Sequence, residues 1–98
     1  MRTEFENIIL YNNEDENRFE MSFENTTSFI EYKIEGNVIS LLHTEVDASL
    51  EGRGAGTAIV EKTLKHIDAA GMQLLPLCPF VAAYIKRHPG WGKIVVAR

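Results

Sequence analysis

The sequence of 98 residues has a single cysteine, three prolines and no long apolar run. Cys78 alone can form no intrachain disulfide, which fits a reducing compartment. No apolar stretch approaches the roughly 20 residues that a membrane-spanning helix needs. The acidic N-terminal segment also lacks the apolar core of a signal peptide. We therefore expect a cytoplasmic protein with no membrane partner.

Basic residues are outnumbered, with 10 Lys and Arg against 14 Asp and Glu, giving a formal net charge of −4. Nucleic acid is not an expected partner, because its phosphates need a basic face. Apolar residues make up 45% and charged residues 24% of the chain, which is the ordinary globular range. This length and composition predict one domain with one modest core, spanning residues 1–98.

The first half of the chain reads as an antiparallel meander. Short apolar or alternating segments, separated by polar turns, predict strands at residues 8–11, 18–23, 29–34 and 38–46. The predicted turns lie at residues 12–17, 25–27 and 36–37. Turns this short join antiparallel neighbours.

The pattern changes from period two to helical spacing at Gly54. Ile59, Val60, Leu64 and Ile67 form one apolar stripe, and Gly71 is a suitable C-terminal cap. The apolar run 72–77 predicts a strand in the centre of the sheet, with Pro76 marking a bulge or an edge. A second helix is expected to begin at Pro79 and end at residue 87, and residues 91–96 read as a last strand. The fold class is therefore α+β, with a mixed sheet in which strand, helix, strand, helix and strand follow the meander.

A strand that ends at Val46 is followed by a short polar loop, and three glycines at alternating positions, Gly52, Gly54 and Gly56, then open the first long helix. Backbone without side chains can approach an anion closely, and a helix N-terminus favours negative charge. The spacing fits neither a Walker loop nor a dinucleotide fingerprint, because Thr57 and Ile59 occupy positions that those motifs reserve for other residues. The remaining alternatives are a phosphate loop of another kind and a tight turn that only allows close packing.

Four segments together resemble the compact members of the GNAT superfamily of N-acetyltransferases. They are His43-Thr-Glu-Val46, Glu51-Gly-Arg-Gly54, Leu75-Pro-Leu-Cys78-Pro-Phe and Tyr84-Ile-Lys-Arg-His-Pro89, and the similarity covers about residues 5–97. The resemblance implies a GNAT-like fold, acetyl-coenzyme A as cofactor and an amine as acceptor. The acceptor is left open among a small amine, a polyamine and a protein lysine.

The resemblance also implies which residues hold coenzyme A. Backbone amides of the loop would bind its pyrophosphate, namely those of Gly52, Arg53, Gly54, Ala55, Gly56 and Thr57. Strands splay at this point in GNAT proteins, so the backbone of Thr44 and Val46 would bind the pantetheine arm and polarise the acyl carbonyl. The position that is usually Arg or Gln is Glu51 here, and the nearby Arg53 is expected to offset its negative charge.

The resemblance implies catalytic roles for residues that follow the fifth strand. Cys78 would lie near the thioester and near a helix N-terminus, whose dipole favours the thiolate, so it could accept an acyl group or protonate the leaving thiolate. The alternative is a small buried apolar residue. Tyr84 would donate a proton to the leaving thiolate, or it is an aromatic residue of the core.

His43 and Glu45 are two residues apart on one strand and therefore share a face. Such a pair near the cofactor could deprotonate an amine directly or through water, and the alternative is a solvated sheet face. No metal site is predicted.

The leading hypothesis is therefore an N-acetyltransferase that binds acetyl-coenzyme A. A coenzyme A-binding module without efficient turnover and a plain protein-interaction domain are the alternatives.

Overall fold

Five strands form one sheet, whose order β1-β2-β3-β4-β5 follows the sequence. The computed structural model describes residues 3–96. The strands are β1 (Tyr11–Asn13), β2 (Arg18–Phe23), β3 (Thr26–Glu35), β4 (Val38–Glu45) and β5 (Gln73–Pro76). Neighbours from β1 to β4 are antiparallel, whereas β5 runs parallel to β4. The predicted α+β class, with a mixed sheet and an antiparallel start, is confirmed.

Three α-helices accompany the sheet: α1 (Thr3–Glu6), α2 (Ala55–Ala69) and α3 (Pro79–Arg87). Two 3-10 helices cover Ala48–Leu50 and Pro89–Ile94. In the part of the chain that the structure describes, none of the helices has the length and apolar character needed to cross a bilayer.

Helix α2 supplies the centre of the core. Ile59, Val60, Leu64 and Ile67 are all fully buried, as their spacing predicted. They pack in one cluster with residues of the sheet such as Phe19, Met21, Ile30, Leu41 and Leu74. Gly71 follows the helix with a φ of 70°, and its N–H donates to the carbonyl of Asp68, so the predicted C-terminal cap is confirmed.

The β4–β5 pair opens into a fork halfway along β4. Only residues 38–41 of β4 pair with β5. The N–H of Cys78 then donates to the carbonyl of Leu41 at 2.8 Å, and the chain turns into α3. Pro76, the last residue of β5, has no N–H to donate to the ladder. Within residues 3–96, the rest of β4 therefore has no strand neighbour on this side.

A β-bulge in β4 lies beside the fork. Glu31 is opposite His43 whereas Tyr32 is opposite Leu41, which leaves Leu42 as the extra residue. The extra residue shifts the alternation of the strand by one position, so that Thr44 is on the same side as Leu41 and contacts the buried Cys78. The side chains of His43 and Glu45 are consequently directed away from the core, and both are more than half exposed.

The N-terminal prediction was wrong in its boundaries. The first strand is β1 at Tyr11–Asn13 and not residues 8–11, so the first two residues of the predicted turn 12–17 are in a strand. The hydroxyl of Tyr32 donates to Asn12 Oδ1 at 2.6 Å, a tertiary contact that favours this register. Helix α1 was not predicted, because one turn with Phe5 as its buried residue is too short to show a periodicity.

The hairpin between β2 and β3 turns one residue earlier than expected. Glu24 and Asn25 form the turn, with φ values of 51° and 62°, and β3 begins at Thr26. Two successive residues with positive φ are typical of the tight turns that suit the twist of a hairpin. Thr26 and Thr27, predicted as turn residues, belong to β3.

Two predictions for the C-terminal half were also wrong. Strand β5 is not central: it pairs with β4, and on its other side only a single bridge joins Leu74 to Val95. Most of residues 91–96 belongs to the 3-10 helix Pro89–Ile94 and not to a strand. Pro89, Gly90 and Gly92 explain the difference, because they weaken any strand preference of this segment.

Replacing Leu64 with Ala should lower the free energy of unfolding by about 2–5 kcal/mol, because Leu64 is fully buried and the smaller side chain leaves a cavity in the core. The control is Lys65→Ala, which changes the next residue, on the exposed side of α2. This substitution should change the free energy of unfolding by less than about 0.5 kcal/mol. Chemical denaturation measures both. Equal losses in the two variants would contradict the assignment of the core face.

Candidate functional site

A cavity of about 480 Å³ lies where β4 leaves the fork and meets the start of α2. Three elements and one aromatic ring form its wall: the end of β4, the loop that follows, the first turn of α2, and Phe80. The lining residues are Thr44, Glu45, Val46, Leu50, Glu51, Gly52, Gly54, Ala55, Gly56, Thr57 and Phe80. Every residue predicted to bind the cofactor lines this cavity except Arg53.

Two glycines give the loop its path around the cavity. Gly52 and Gly54 have φ values of 79° and 90°, a left-handed conformation that other residues adopt with strain. The loop begins with Asp47, whose carboxylate accepts hydrogen bonds from the N–H and hydroxyl of Ser49 at 2.9 and 2.7 Å. These hydrogen bonds lower the pKa of the Asp47 carboxyl.

Several amides at the cavity have no backbone acceptor within the described residues. The first bond of α2 runs from the N–H of Ala58 to the carbonyl of Gly54, which leaves the N–H groups of the preceding helical residues without an intrahelical partner. The N–H groups of Gly52 and Gly54 likewise donate to no backbone carbonyl of the described residues. The N–H of Arg53 differs, because it already donates to the carbonyl of Leu50 at 3.2 Å.

Phe80 is a wall residue that the sequence interpretation did not single out. It is the second residue of α3, and the residue is 41% exposed. A Cβ on Gly56 would lie 2.8 Å from Phe80 Cζ and 3.6 Å from a methyl carbon of Val46. Gly56 is therefore required for the packing of the ring, which the glycine pattern alone did not reveal. The available signal was an aromatic residue directly after Cys78-Pro79.

The side chain of Arg53 points away from the cavity. Its guanidinium bonds Glu24 at 2.7 Å and Glu4 at 3.0 Å, and it lies 5.5 Å from the centroid of the Phe23 ring. The expectation that Arg53 offsets the charge of Glu51 is therefore wrong. The side chain instead fastens the glycine loop to α1 and to the β2–β3 turn.

The charged groups that line the cavity are both carboxylates, Glu45 and Glu51. No cation lines the cavity in the part of the chain that the structure describes. His43 Nε2 lies 3.7 Å from Glu45 Oε2, and both side chains are more than half exposed. The structure thus brings this predicted pair together, but only Glu45 reaches the cavity wall.

Cys78 lies behind the cavity wall, at the N-cap of α3. It is 3% exposed, and its Sγ is 3.3 Å from Thr44 Oγ1. Thr44 itself lines the cavity, so its hydroxyl connects the cavity to the thiol.

Tyr84 is separate from these residues. It is 4% exposed and stacks on His88 with ring centroids 4.3 Å apart. Burial, followed by the charge of Glu61 on α2, raises the pKa of its hydroxyl. Tyr84 does not line the cavity, and its surroundings are those of a core aromatic residue.

A family model described as GCN5-related N-acetyl-transferase matches residues 18–94. The chain therefore belongs to the family of GCN5-related N-acetyltransferases, whose general chemistry is acyl transfer from acetyl-coenzyme A. The resemblance inferred from the sequence is confirmed. The chain is also similar to the NMR solution structure of a GCN5-like protein from Staphylococcus aureus. The TM-score is 0.69 and the identity 20%, over 99% of this chain and 93% of that one, so this likeness concerns the fold alone.

Replacing Gly56 with Ala should destabilise the protein by roughly 1–3 kcal/mol, because the new Cβ overlaps the Phe80 ring. In the double variant with Phe80→Leu, much of that loss should disappear, since a smaller side chain can move aside. Thermal and chemical denaturation measure the coupling.

Gly90→Ala is the matched control, because a Cβ there meets nothing within 4 Å. The opposite result is that Gly56→Ala lowers the free energy of unfolding equally with Phe and with Leu at position 80. That result would contradict the claim that the Phe80 ring requires a glycine at position 56.

Proposed function

We propose that this domain binds acetyl-coenzyme A in the cavity at the fork and transfers the acetyl group to an amine. One observation carries the proposal: the unpaired half of β4, the glycine loop and the first turn of α2 line one cavity. A strand with free backbone groups and a helix N-terminus are thereby placed within reach of one elongated ligand. Membership of the GCN5-related N-acetyltransferases supports the same reading.

The diphosphate would be bound by amides. Gly52, Gly54, Ala55, Gly56 and Thr57 line the cavity and have N–H groups without a backbone acceptor among the described residues. The positive end of the α2 dipole adds to their attraction for an anion. Arg53 is excluded from this set by its bond to Leu50, although it was included in the sequence prediction.

The thioester would lie further along β4, beside Thr44, Glu45 and Val46. The part of β4 beyond the fork has no strand neighbour on this side, so its backbone groups can bind the pantetheine arm and the acyl oxygen. Donors aimed at a developing oxyanion can lower a barrier by roughly 3–4 kcal/mol. Glu45, with His43 as its neighbour, would take a proton from the incoming amine through water.

Transfer forms a C–N bond, breaks the C–S bond and leaves a thiolate that needs a proton. Thr44 lines the cavity beside β4 and contacts the Cys78 thiol, whereas Tyr84 is buried outside the cavity. We therefore favour the Thr44–Cys78 pair over Tyr84 for this step. Direct transfer is favoured over an acyl-enzyme because the Cys78 thiol is 3% exposed and lies behind Thr44.

The second candidate function is a coenzyme A-binding module without efficient turnover. The position of Tyr84 favours it, because the residue that would act as the acid does not reach the cavity. Calorimetry with acetyl-coenzyme A, combined with an acetylation assay on a panel of amines, separates the two functions. Binding together with transfer supports the transferase, binding without transfer supports the module, and the absence of binding overturns both.

Replacing Glu51 with Gln should tighten acetyl-coenzyme A binding about two- to fivefold at low salt, because it removes a carboxylate from the cavity wall. The gain should shrink as salt screens the charge. Glu35→Gln, an exposed carboxylate at the end of β3, is the control and should leave the affinity unchanged. Weaker binding after Glu51→Gln would contradict a diphosphate site beside this residue.

Wild-type protein incubated with acetyl-coenzyme A should show no acetyl group on Cys78 by mass spectrometry, and Cys78→Ser should retain more transfer activity than Cys78→Ala. A hydroxyl can keep the contact with Thr44 and relay a proton, whereas a methyl group cannot. An acetyl adduct on Cys78 that forms and decays with turnover would contradict direct transfer and would support a mechanism through an acyl-enzyme.

A further inference from the structure

The side chain of Arg53 joins the glycine loop to two segments that are distant from it in sequence. Its Nη1 donates to Glu24 Oε1 at 2.7 Å, and its Nη2 donates to Glu4 Oε2 at 3.0 Å. Glu24 belongs to the turn between β2 and β3, and Glu4 belongs to α1. These partners are 29 and 49 positions away from Arg53. Three segments of the chain therefore meet at one guanidinium.

The two segments that bind Arg53 are themselves attached to the core. The guanidinium lies 5.5 Å from the centroid of the Phe23 ring, which contacts the Phe5 ring edge to face with centroids 4.9 Å apart. Phe5 is fully buried. The carbonyl of Glu6, at the end of α1, accepts a hydrogen bond from Lys62 Nζ of α2 at 3.1 Å. The bonds of Arg53 therefore restrain the loop relative to the body of the protein.

The glycines on either side of Arg53 contribute little restraint of their own. Glycine has the largest backbone freedom of all residues, and a Cβ on Gly52 would meet nothing within 4 Å. The N–H of Arg53 donates to the carbonyl of Leu50 at 3.2 Å, whereas the N–H groups of Gly52 and Gly54 donate to no backbone carbonyl between residues 3 and 96. Within these residues, every hydrogen bond that segment 52–54 donates comes from Arg53.

A loop that is ordered before binding gives a higher affinity, because less conformational entropy is lost when the ligand binds. We propose that Arg53 is a positioning residue of the cavity at the fork, which raises the affinity for acetyl-coenzyme A by ordering the glycine loop without contacting the ligand. This inference rests on the proposed function, in which the loop amides bind the diphosphate. Glu4 and Glu24 then strengthen the binding of an anion, although both are anions themselves.

A carboxylate near the loop has two opposing effects on anion binding, and its position decides which is larger. Glu24 is paired with Arg53 and its side chain is 56% exposed, so water and salt screen its repulsion of a ligand in the cavity. Its bond to Arg53 restrains the loop directly. Glu51, in contrast, lines the cavity and makes no ion pair with any residue between 3 and 96. Removing the two charges should therefore change the affinity in opposite directions.

Calorimetry with acetyl-coenzyme A compares these variants. Glu24→Gln should weaken binding about two- to fivefold, whereas the matched control Glu51→Gln should tighten it. Arg53→Ala should weaken binding about five- to tenfold, and Arg53→Lys should be intermediate, because one ammonium cannot hold both carboxylates as a planar guanidinium does. If Arg53 bound the diphosphate directly, Glu24→Gln would release its guanidinium and tighten binding. Tighter or unchanged binding by Glu24→Gln would therefore overturn the proposal.

Two further variants separate positioning from a general loss of stability. The double variant Arg53→Ala with Glu24→Gln should bind acetyl-coenzyme A as Arg53→Ala does, because both substitutions remove the same restraint. Leu64→Ala destabilises the core but does not touch the loop, so its affinity should equal that of the wild type at a temperature where both are folded. Additive losses in the double variant, or an equal loss in Leu64→Ala, would overturn the positioning role.

A measurement on the free protein distinguishes a failure of this inference from a failure of the proposed function. NMR order parameters of the Gly52 and Gly54 amides should fall in Arg53→Ala and Glu24→Gln, while that of the Leu64 amide stays at the wild-type value. Unchanged order parameters at both glycines would overturn the inference, whatever the ligand does. A wild-type protein that binds no acetyl-coenzyme A would overturn the proposed function, and the order parameters would still decide whether Arg53 orders the loop.

Discussion

The separation of β4 from β5 is the constraint on which the site depends. The ladder between them stops after residues 38–41, because Pro76 offers no N–H and the amide of Cys78 takes the carbonyl of Leu41 as the chain turns into α3. If the two strands remained paired to the end of β4, β5 would cover residues 44–46. The cavity would then lack its strand wall, and the glycine loop would face another strand. A short ladder thus creates the place where a ligand can meet both a strand and a helix N-terminus.

The electrostatics of the cavity depend on the direction of the Arg53 side chain. Arg53 lies in the glycine loop, yet its guanidinium is held by Glu4 and Glu24 on the far side. Attraction for an anion is therefore left to backbone amides and the dipole of α2, against the charges of Glu45 and Glu51. Such a site recognises an anion by its shape and hydrogen bonds more than by its net charge.

Local patterns in the sequence predicted those parts of the fold that local interactions determine. The buried stripe of α2 was predicted from Ile59, Val60, Leu64 and Ile67, and the start of α3 from Pro79. Contacts between distant segments were not predictable in this way. Arg53 meets Glu4 across 49 positions of sequence, and the ring that requires Gly56 to be bare belongs to Phe80. The glycine loop could be singled out as a candidate cofactor loop because its glycines alternate and because further motifs accompany it, whereas the direction of each side chain depends on tertiary packing.

The central claim is that free amides at the start of α2 bind the diphosphate of acetyl-coenzyme A. A titration of ¹⁵N-labelled protein with acetyl-coenzyme A, followed by NMR, tests it directly. The largest changes in amide shift should occur at Gly52, Gly54 and the first three residues of α2, while Gly36 and Gly71 stay unchanged. Saturable binding whose shift changes avoid these five amides, or no binding at all, would contradict the account.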